Sequence, residues 1–156
     1  MMRLFTAMLA GLAMIPAPAF AADAAVEKVI NGFVAAFNAG DMATATATHA
    51  DDAHIVDELP PYFWGGHDVI KRWAESYAAD AAAKGITDPK VVIGAPTREI
   101  VTGDRAYVVV PSLYTFKQKG IAMTETAQMT FVLAKTGGDW KILSWTWTGP
   151  DPSPVK

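Results

Sequence analysis

The chain has no cysteine. It therefore has no disulfide staple, no thiolate metal ligand and no sulfur nucleophile, and must hold itself together with an apolar core. Histidine is almost as scarce. The three copies, His49, His54 and His67, all fall within one stretch, "HADDAHIVDELPPYFWGGHD". No H-x-H or H-x-x-x-H pair occurs, so metal-ligand spacing is missing and no metal is expected. No G-x-S-x-G, Walker or dinucleotide-binding pattern is present either, and "TGG" at residues 136–138 reads as a hairpin. These absences remove the common nucleophile and phosphate-binding motifs, and no cofactor is expected.

Positive charge is thin. Thirteen Lys and Arg stand against sixteen Asp and Glu, for a net charge of −3. The densest cationic run, "KQK" at residues 117–119, suits a solvated hairpin tip. Nucleic acid is not an expected partner. The most apolar run, "LFTAMLAGLAMI" at residues 4–15, falls short of the roughly 20 residues that a membrane span needs. A stable membrane anchor is not expected. That run follows Met1-Met2-Arg3 and precedes "PAPAFA", with Ala19 and Ala21 at the small positions of an A-x-A cleavage site. The pattern is that of a secretory signal peptide over residues 1–21, so the chain is expected to be exported to the periplasm or the medium.

What remains is rich in patterned apolar residues. Val26, Val29, Ile30, Phe33, Val34 and Phe37 have the spacing of an amphipathic helix, with Asp23 placed to cap it and Gly40 to end it. A second, weak helix is expected through "MATATATHA", because its threonines are poor helix formers. "AHIVDE" at residues 53–58 alternates and reads as a short strand. Pro60-Pro61 and Gly65-Gly66 bracket an irregular loop. A third helix opens at His67 or Asp68 and ends at Gly85, with Val69, Ile70, Trp73 and Tyr77 on one face.

Beyond Gly85 the period changes from 3.6 to 2. Segments 89–101, 105–118, 121–135 and 139–149 read as four antiparallel strands joined by "TGD", "KG" and "TGG" turns. Pro111 is expected to mark an edge or a bulge. The tail at residues 150–156 is expected to be flexible. The expected fold class is α+β: one cone-shaped domain over residues 22–149, with three N-terminal helices packed on a curved, mainly antiparallel sheet.

This order, with "FVAAFNAGD", "ADDAHIVDE", "GGHDVIKRW" and "GGDWKILSW" in succession, resembles the nuclear transport factor 2-like superfamily. Within it, the ketosteroid isomerase and SnoaL-like polyketide cyclase branch is nearest. The resemblance covers residues 23–149. It implies a pocket between the first and third helices and the concave face of the sheet, and commonly a homodimer. It places the isomerase carboxylate base on Asp57. The tyrosine that donates to the developing oxyanion falls on Phe33, and the second acid falls near Gln128 or Thr130. The base is thus matched and the electrophilic half is not.

Read as residues, Ile55 and Asp57 share one strand face, while His54, Val56 and Glu58 share the other. An inward Asp57 would lie among aromatic side chains, where burial raises a carboxyl pKa toward that of a general base. Tyr62, in a "YFW" loop that would roof the mouth, is a candidate proton donor, and His67 is a candidate acid or base at the rim. The expected pocket lining is Phe33, Phe37, Trp64, Trp73 and Tyr77 from the helical half. The sheet is expected to add Tyr107, Val109, Leu113, Gln128, Trp145 and Trp147, with the inward set passing to Tyr114 and Phe116 beyond Pro111. Trp145 and Trp147 are expected to share their face with Leu143.

Three functions follow. The first is an exported domain that binds a hydrophobic or aromatic small molecule. The second is a cofactor-free acid–base isomerase, cyclase or dehydratase using Asp57. The third is a non-catalytic dimeric module, with Val108, Val110 and Ser112 on the outer sheet face.

Overall fold

The computed structural model describes residues 23–156. The expected signal peptide lies outside the described residues. Helix α1 (Ala24–Ala39) begins where Asp23 accepts the backbone N–H groups of Ala25 and Val26. It ends at Gly40, whose φ of 68° puts it in the left-handed region where glycine meets no Cβ penalty. Val26, Ile30, Phe33 and Val34 form its buried stripe, and each contributes roughly 1.5–3 kcal/mol by leaving water.

Helix α2 (Met42–Ala47) is shorter than expected. Thr46 and Thr48 donate their hydroxyls back to the carbonyls of Met42 and Ala45, which competes with continued helix. His49 therefore opens strand β1 (His49–Val56) rather than closing a helix. Strand β2 (Phe63–Gly65) pairs antiparallel with the end of β1, after a loop that contains a cis Pro60–Pro61 peptide. Helix α3 (Val69–Lys84) follows, with Asp68 before it making no side-chain capping bond.

The expected strand over residues 89–101 is in fact two, β3 (Ile86–Ile93) and β4 (Arg98–Thr102). Strands β5 (Arg105–Gln118), β6 (Ile121–Thr136) and β7 (Asp139–Thr148) form the long antiparallel meander. The spatial order is β2-β1-β7-β6-β5-β3, with β4 also on β5, and β1 runs parallel to β7. The tail is not loose. Strand β8 (Ser153–Pro154) pairs with Met123 and Thr124 of β6.

Two irregularities decide which side chains face the helices. Pro111 makes no bulge, because β5 pairs with β6 without interruption from Arg105 to Gln118. It sits where the outer edge of β5 passes from β4 to β3, and its carbonyl accepts from Gly94. A proline is tolerated there because no ladder donor is needed. Alternation consequently runs unbroken. Val108, Val110 and Ser112 are buried on the inner face, which rules them out as an outer docking face. Tyr107 and Leu113 point outward and are exposed.

The real bulge is on β7. Ile142 pairs with Leu133 and Ser144 with Val132, so Leu143 is the extra residue. Such a bulge reverses parity. It lets Trp140 and Ile142 face the core on one side of it and Trp145 on the other. Leu143 does not share their face.

Candidate functional site

The helices and the inner sheet face leave a cavity of about 320 Å³ open to solvent at one end. Its walls are largely aromatic. Phe33 and Phe37 come from α1, Trp73 and Tyr77 from α3, Tyr114 and Phe116 from β5, and Trp145 and Trp147 from β7. The rings pack in a continuous chain. Trp73 stacks on Tyr77 at 5.8 Å and meets Trp145 edge-on at 5.0 Å, and Phe33 lies 5.7 Å from Trp145. On the opposite wall, Tyr114 stacks on Phe116 at 4.7 Å.

Asp57 lies in this cage, one residue past the end of β1 and lining the cavity. Its Oδ2 accepts the indole N–H of Trp73 at 2.7 Å. Burial raises its pKa, and that hydrogen bond only partly offsets the shift. The Tyr77 and Tyr114 hydroxyls meet at 2.8 Å. One O–H is used between them, so the pair retains one O–H to donate. Burial, above all, lifts both phenol pKa values, so both rings stay neutral. Trp145 carries a further donor, a buried indole N–H with no partner. An unmet buried donor costs about 1–3 kcal/mol.

The open end is acidic. Glu58 and Asp151 line it. Behind Trp147 is Glu125, only 2 % exposed, whose Oε1 accepts the Trp147 indole N–H at 2.6 Å. Partial desolvation, the charges of Glu125 and Asp57 and a hydrogen bond with the Glu125 carboxyl push the Glu58 pKa up to about 7. The pKa of Glu125 is also raised, chiefly by burial. At the opposite, closed end of the cone His49 is buried against Phe33, ring centroids 4.9 Å apart. Its Nδ1 bonds to the Ala45 carbonyl at 2.8 Å while Nε2 has no partner, and burial lowers its pKa to about 4. A neutral ring with Nδ1 as donor satisfies this geometry.

Of the residues expected at the site, Asp57, Phe33, Phe37, Trp73, Tyr77, Trp145 and Trp147 line the cavity, as do Tyr114 and Phe116. Trp64 does not; it is buried under α3 with its indole N–H directed to Ser76. Tyr107, Val109, Leu113 and Gln128 also lie away from it, because the unbroken alternation of β5 and β6 directs them to the other face. Tyr62 is 60 % exposed and forms no roof, and His67 is an exposed residue before α3. Leu59 and the Asp151–Pro152 segment border the opening instead. Glu58 turns toward the cavity because the chain leaves the strand at Val56, which ends the parity that would have sent it outward.

The acid on β6 was missed. It is Glu125, in phase with the inward-facing Ala127, Met129, Phe131 and Leu133. That phase was visible in the sequence. Among the described residues no group of three or more acidic or histidine side chains is spaced to hold a metal ion.

The SnoaL-like domain family matches residues 26–147. The chain belongs to that family. This SnoaL-like domain also superimposes on solved structures of the nuclear transport factor 2-like superfamily. One is the hexachlorocyclohexane dehydrochlorinase LinA-type3 from Novosphingobium barchaimii LL02, at 13 % identity and a TM-score of 0.72, covering 85 % of this chain and 88 % of that one. A second is a ketosteroid isomerase-like protein from Erwinia carotovora atroseptica SCRI1043, at 23 % identity and a TM-score of 0.65, covering 83 % and 96 %. A third is a superfamily protein from Salmonella enterica serovar Typhimurium LT2, at 18 % identity and a TM-score of 0.65, covering 83 % and 92 %. These likenesses establish the cone fold of the SnoaL-like domain. No curated protein matches its sequence.

Proposed function

We propose that this SnoaL-like domain binds a small, largely apolar or aromatic molecule inside the cone. The observation that carries the reading is the open cavity of about 320 Å³, walled by eight aromatic side chains, with the half-buried carboxyl of Asp57 among them. An apolar cavity with a few fixed polar groups is the usual form of a small-molecule site. The ring system of the ligand packs on Trp73, Tyr77 and Trp145, and a polar acceptor on it takes the spare O–H of the Tyr77–Tyr114 pair. Titration with 1-naphthol, read by tryptophan fluorescence, tests this. Saturable quenching is expected, and Val91→Phe, which places a ring into the lined space, should abolish it without loss of folding. Quenching that survives Val91→Phe would place binding elsewhere.

A second reading, acid–base catalysis, is favoured by the raised pKa of Asp57. Ionised Asp57 takes a proton from a carbon next to a carbonyl, and the enolate oxygen accepts the spare O–H of the Tyr77–Tyr114 pair, the donor that Phe33 does not supply. Return of the proton to another carbon completes an isomerisation. Deuterium uptake at the acidic carbon of 2-tetralone in heavy water is the assay. Asp57→Asn should slow it by at least tenfold while leaving affinity unchanged. Equal uptake in the two proteins would exclude the Asp57 mechanism.

Export and self-association complete the proposal. The apolar leader at residues 1–21 supports export, and N-terminal sequencing of the secreted protein should begin near Ala22. Exposed Val92, Ile100, Tyr107 and Leu113 on the outer sheet support pairing of two copies. Light scattering should give twice the chain mass, and a monomer would overturn that part.

A further inference from the structure

The polar groups at the open end are of one sign. Asp57, Glu58 and Asp151 line the cavity, and Glu125 adjoins it through Trp147. Among the described residues none of these four is in an ion pair. The basic side chain lining the cavity, Lys84, is held by Asp80 at 2.8 Å.

Glu125 is the telling member. It is 98 % buried by surface area, one oxygen is taken by Trp147, and its carboxyl is within hydrogen-bonding reach of Glu58, so the two acids share a proton or carry adjoining charges. Buried carboxylates without a counter-charge are costly, and the group either takes up a proton or finds a cation. The chain also makes room for it. A Cβ at Gly149 would meet both Glu125 Oε1 and, at 2.9 Å, the Cβ of Ala127, so a larger residue there would displace the Glu125 carboxyl.

A bare metal ion needs several oxygens converging at fixed distances, and no such group occurs among the described residues. An organic ammonium needs no such geometry. It needs diffuse negative charge and aromatic faces, and Trp147 and Tyr114 stand beside these carboxylates.

We propose that the molecule bound in the cone is an organic cation. A protonated amine or quaternary ammonium is carried on an apolar or aromatic frame. The frame lies against Trp73, Tyr77 and Trp145, and the cationic end lies among Glu58, Glu125 and Asp151. This inference rests on the reading that the cavity takes an apolar molecule, and adds the charge of that molecule.

Three probes of similar size separate the two claims: 1-naphthylmethylammonium, 1-naphthalenemethanol and 1-naphthoate. Calorimetric titration at neutral pH and low salt should show the ammonium binding about tenfold or more tighter than the alcohol, with the carboxylate weakest. The preference should shrink as salt is raised, and should fall toward unity in Glu58→Gln/Asp151→Asn. Both of those side chains are exposed, so that variant folds whatever Glu125→Gln does. If the alcohol or the carboxylate binds as tightly as the ammonium, the cation is excluded while the cavity reading stands. If none of the three binds, both fall. A preference that survives in Glu58→Gln/Glu125→Gln/Asp151→Asn would also overturn the assignment.

Discussion

The closed and open ends of the cone both desolvate ionisable groups, fully at one end and partly at the other, with opposite results. At the closed end His49 sits among Phe33 and neighbouring core residues, loses its proton, and satisfies one nitrogen on the Ala45 carbonyl. At the open end Asp57, Glu58 and Glu125 are pushed the other way and hold their protons more tightly. The same cause, burial, acts on a base and on acids, and each avoids its charged form. The closed end is settled by packing, with His49 Nε2 left unmet. The open end differs in gathering carboxyls that line the cavity, Asp57, Glu58 and Asp151.

The largest test of this contrast is structural. Phe33→Ala should cost about 3–5 kcal/mol in urea unfolding, because it opens a hole against Trp145, Phe131 and His49. Asp151→Asn, at the rim, should change stability by no more than about 0.5 kcal/mol. Equal costs would erase the distinction between a packed base and a permissive mouth. A smaller effect of opposite sign is expected at Glu125. Glu125→Gln keeps an oxygen for Trp147 and removes a buried charge that stands beside Glu58 and Asp57, so it should stabilise by on the order of 1 kcal/mol at pH 8. Destabilisation would mean that the carboxylate is already neutralised in the free protein.

The smallest effect is a difference in pH dependence. His49 has a folded pKa of about 4 against an ordinary 6.5. Its contribution is present above 6.5 and is lost as pH falls toward 4. Glu58 has a folded pKa of about 7 against an ordinary 4.5, so its contribution is present below 4.5 and is lost as pH rises through 7. Between 4.5 and 6.5 the two oppose each other. Melting temperatures of Glu58→Gln should therefore rise with pH across that window more steeply than those of the parent, and should lack the parent's decline near neutrality. Parallel curves would remove Glu58 as the source.

Much of this arrangement was legible in the chain. The capped first helix, the Trp73–Tyr77 spacing and the phase of Asp57 with Ile55 are local signals, and all three survive folding. The errors came from long-range causes. Pro111 looked like a bulge, yet it occupies a gap between two partner strands that no local pattern reveals. The true bulge at Leu143 is set by pairing with β6 and leaves no mark in composition. Residues 150–156 lack any strand pattern and gain order only from β6. Glu125 was in phase with the inner face, but a glutamate in a strand is ordinarily read as solvent-facing.

Five indole N–H groups report on the two regions directly. Trp73, Trp145 and Trp147 line the cavity, whereas Trp64 lies under α3 and Trp140 is covered by Lys135 at 5.0 Å. A nitrogen–proton correlation spectrum recorded during titration with 1-naphthylmethylammonium should shift the three cavity indoles and leave Trp64 and Trp140 in place. Shifts confined to Trp64 and Trp140, or no shift at all, would contradict a ligand site in the cone.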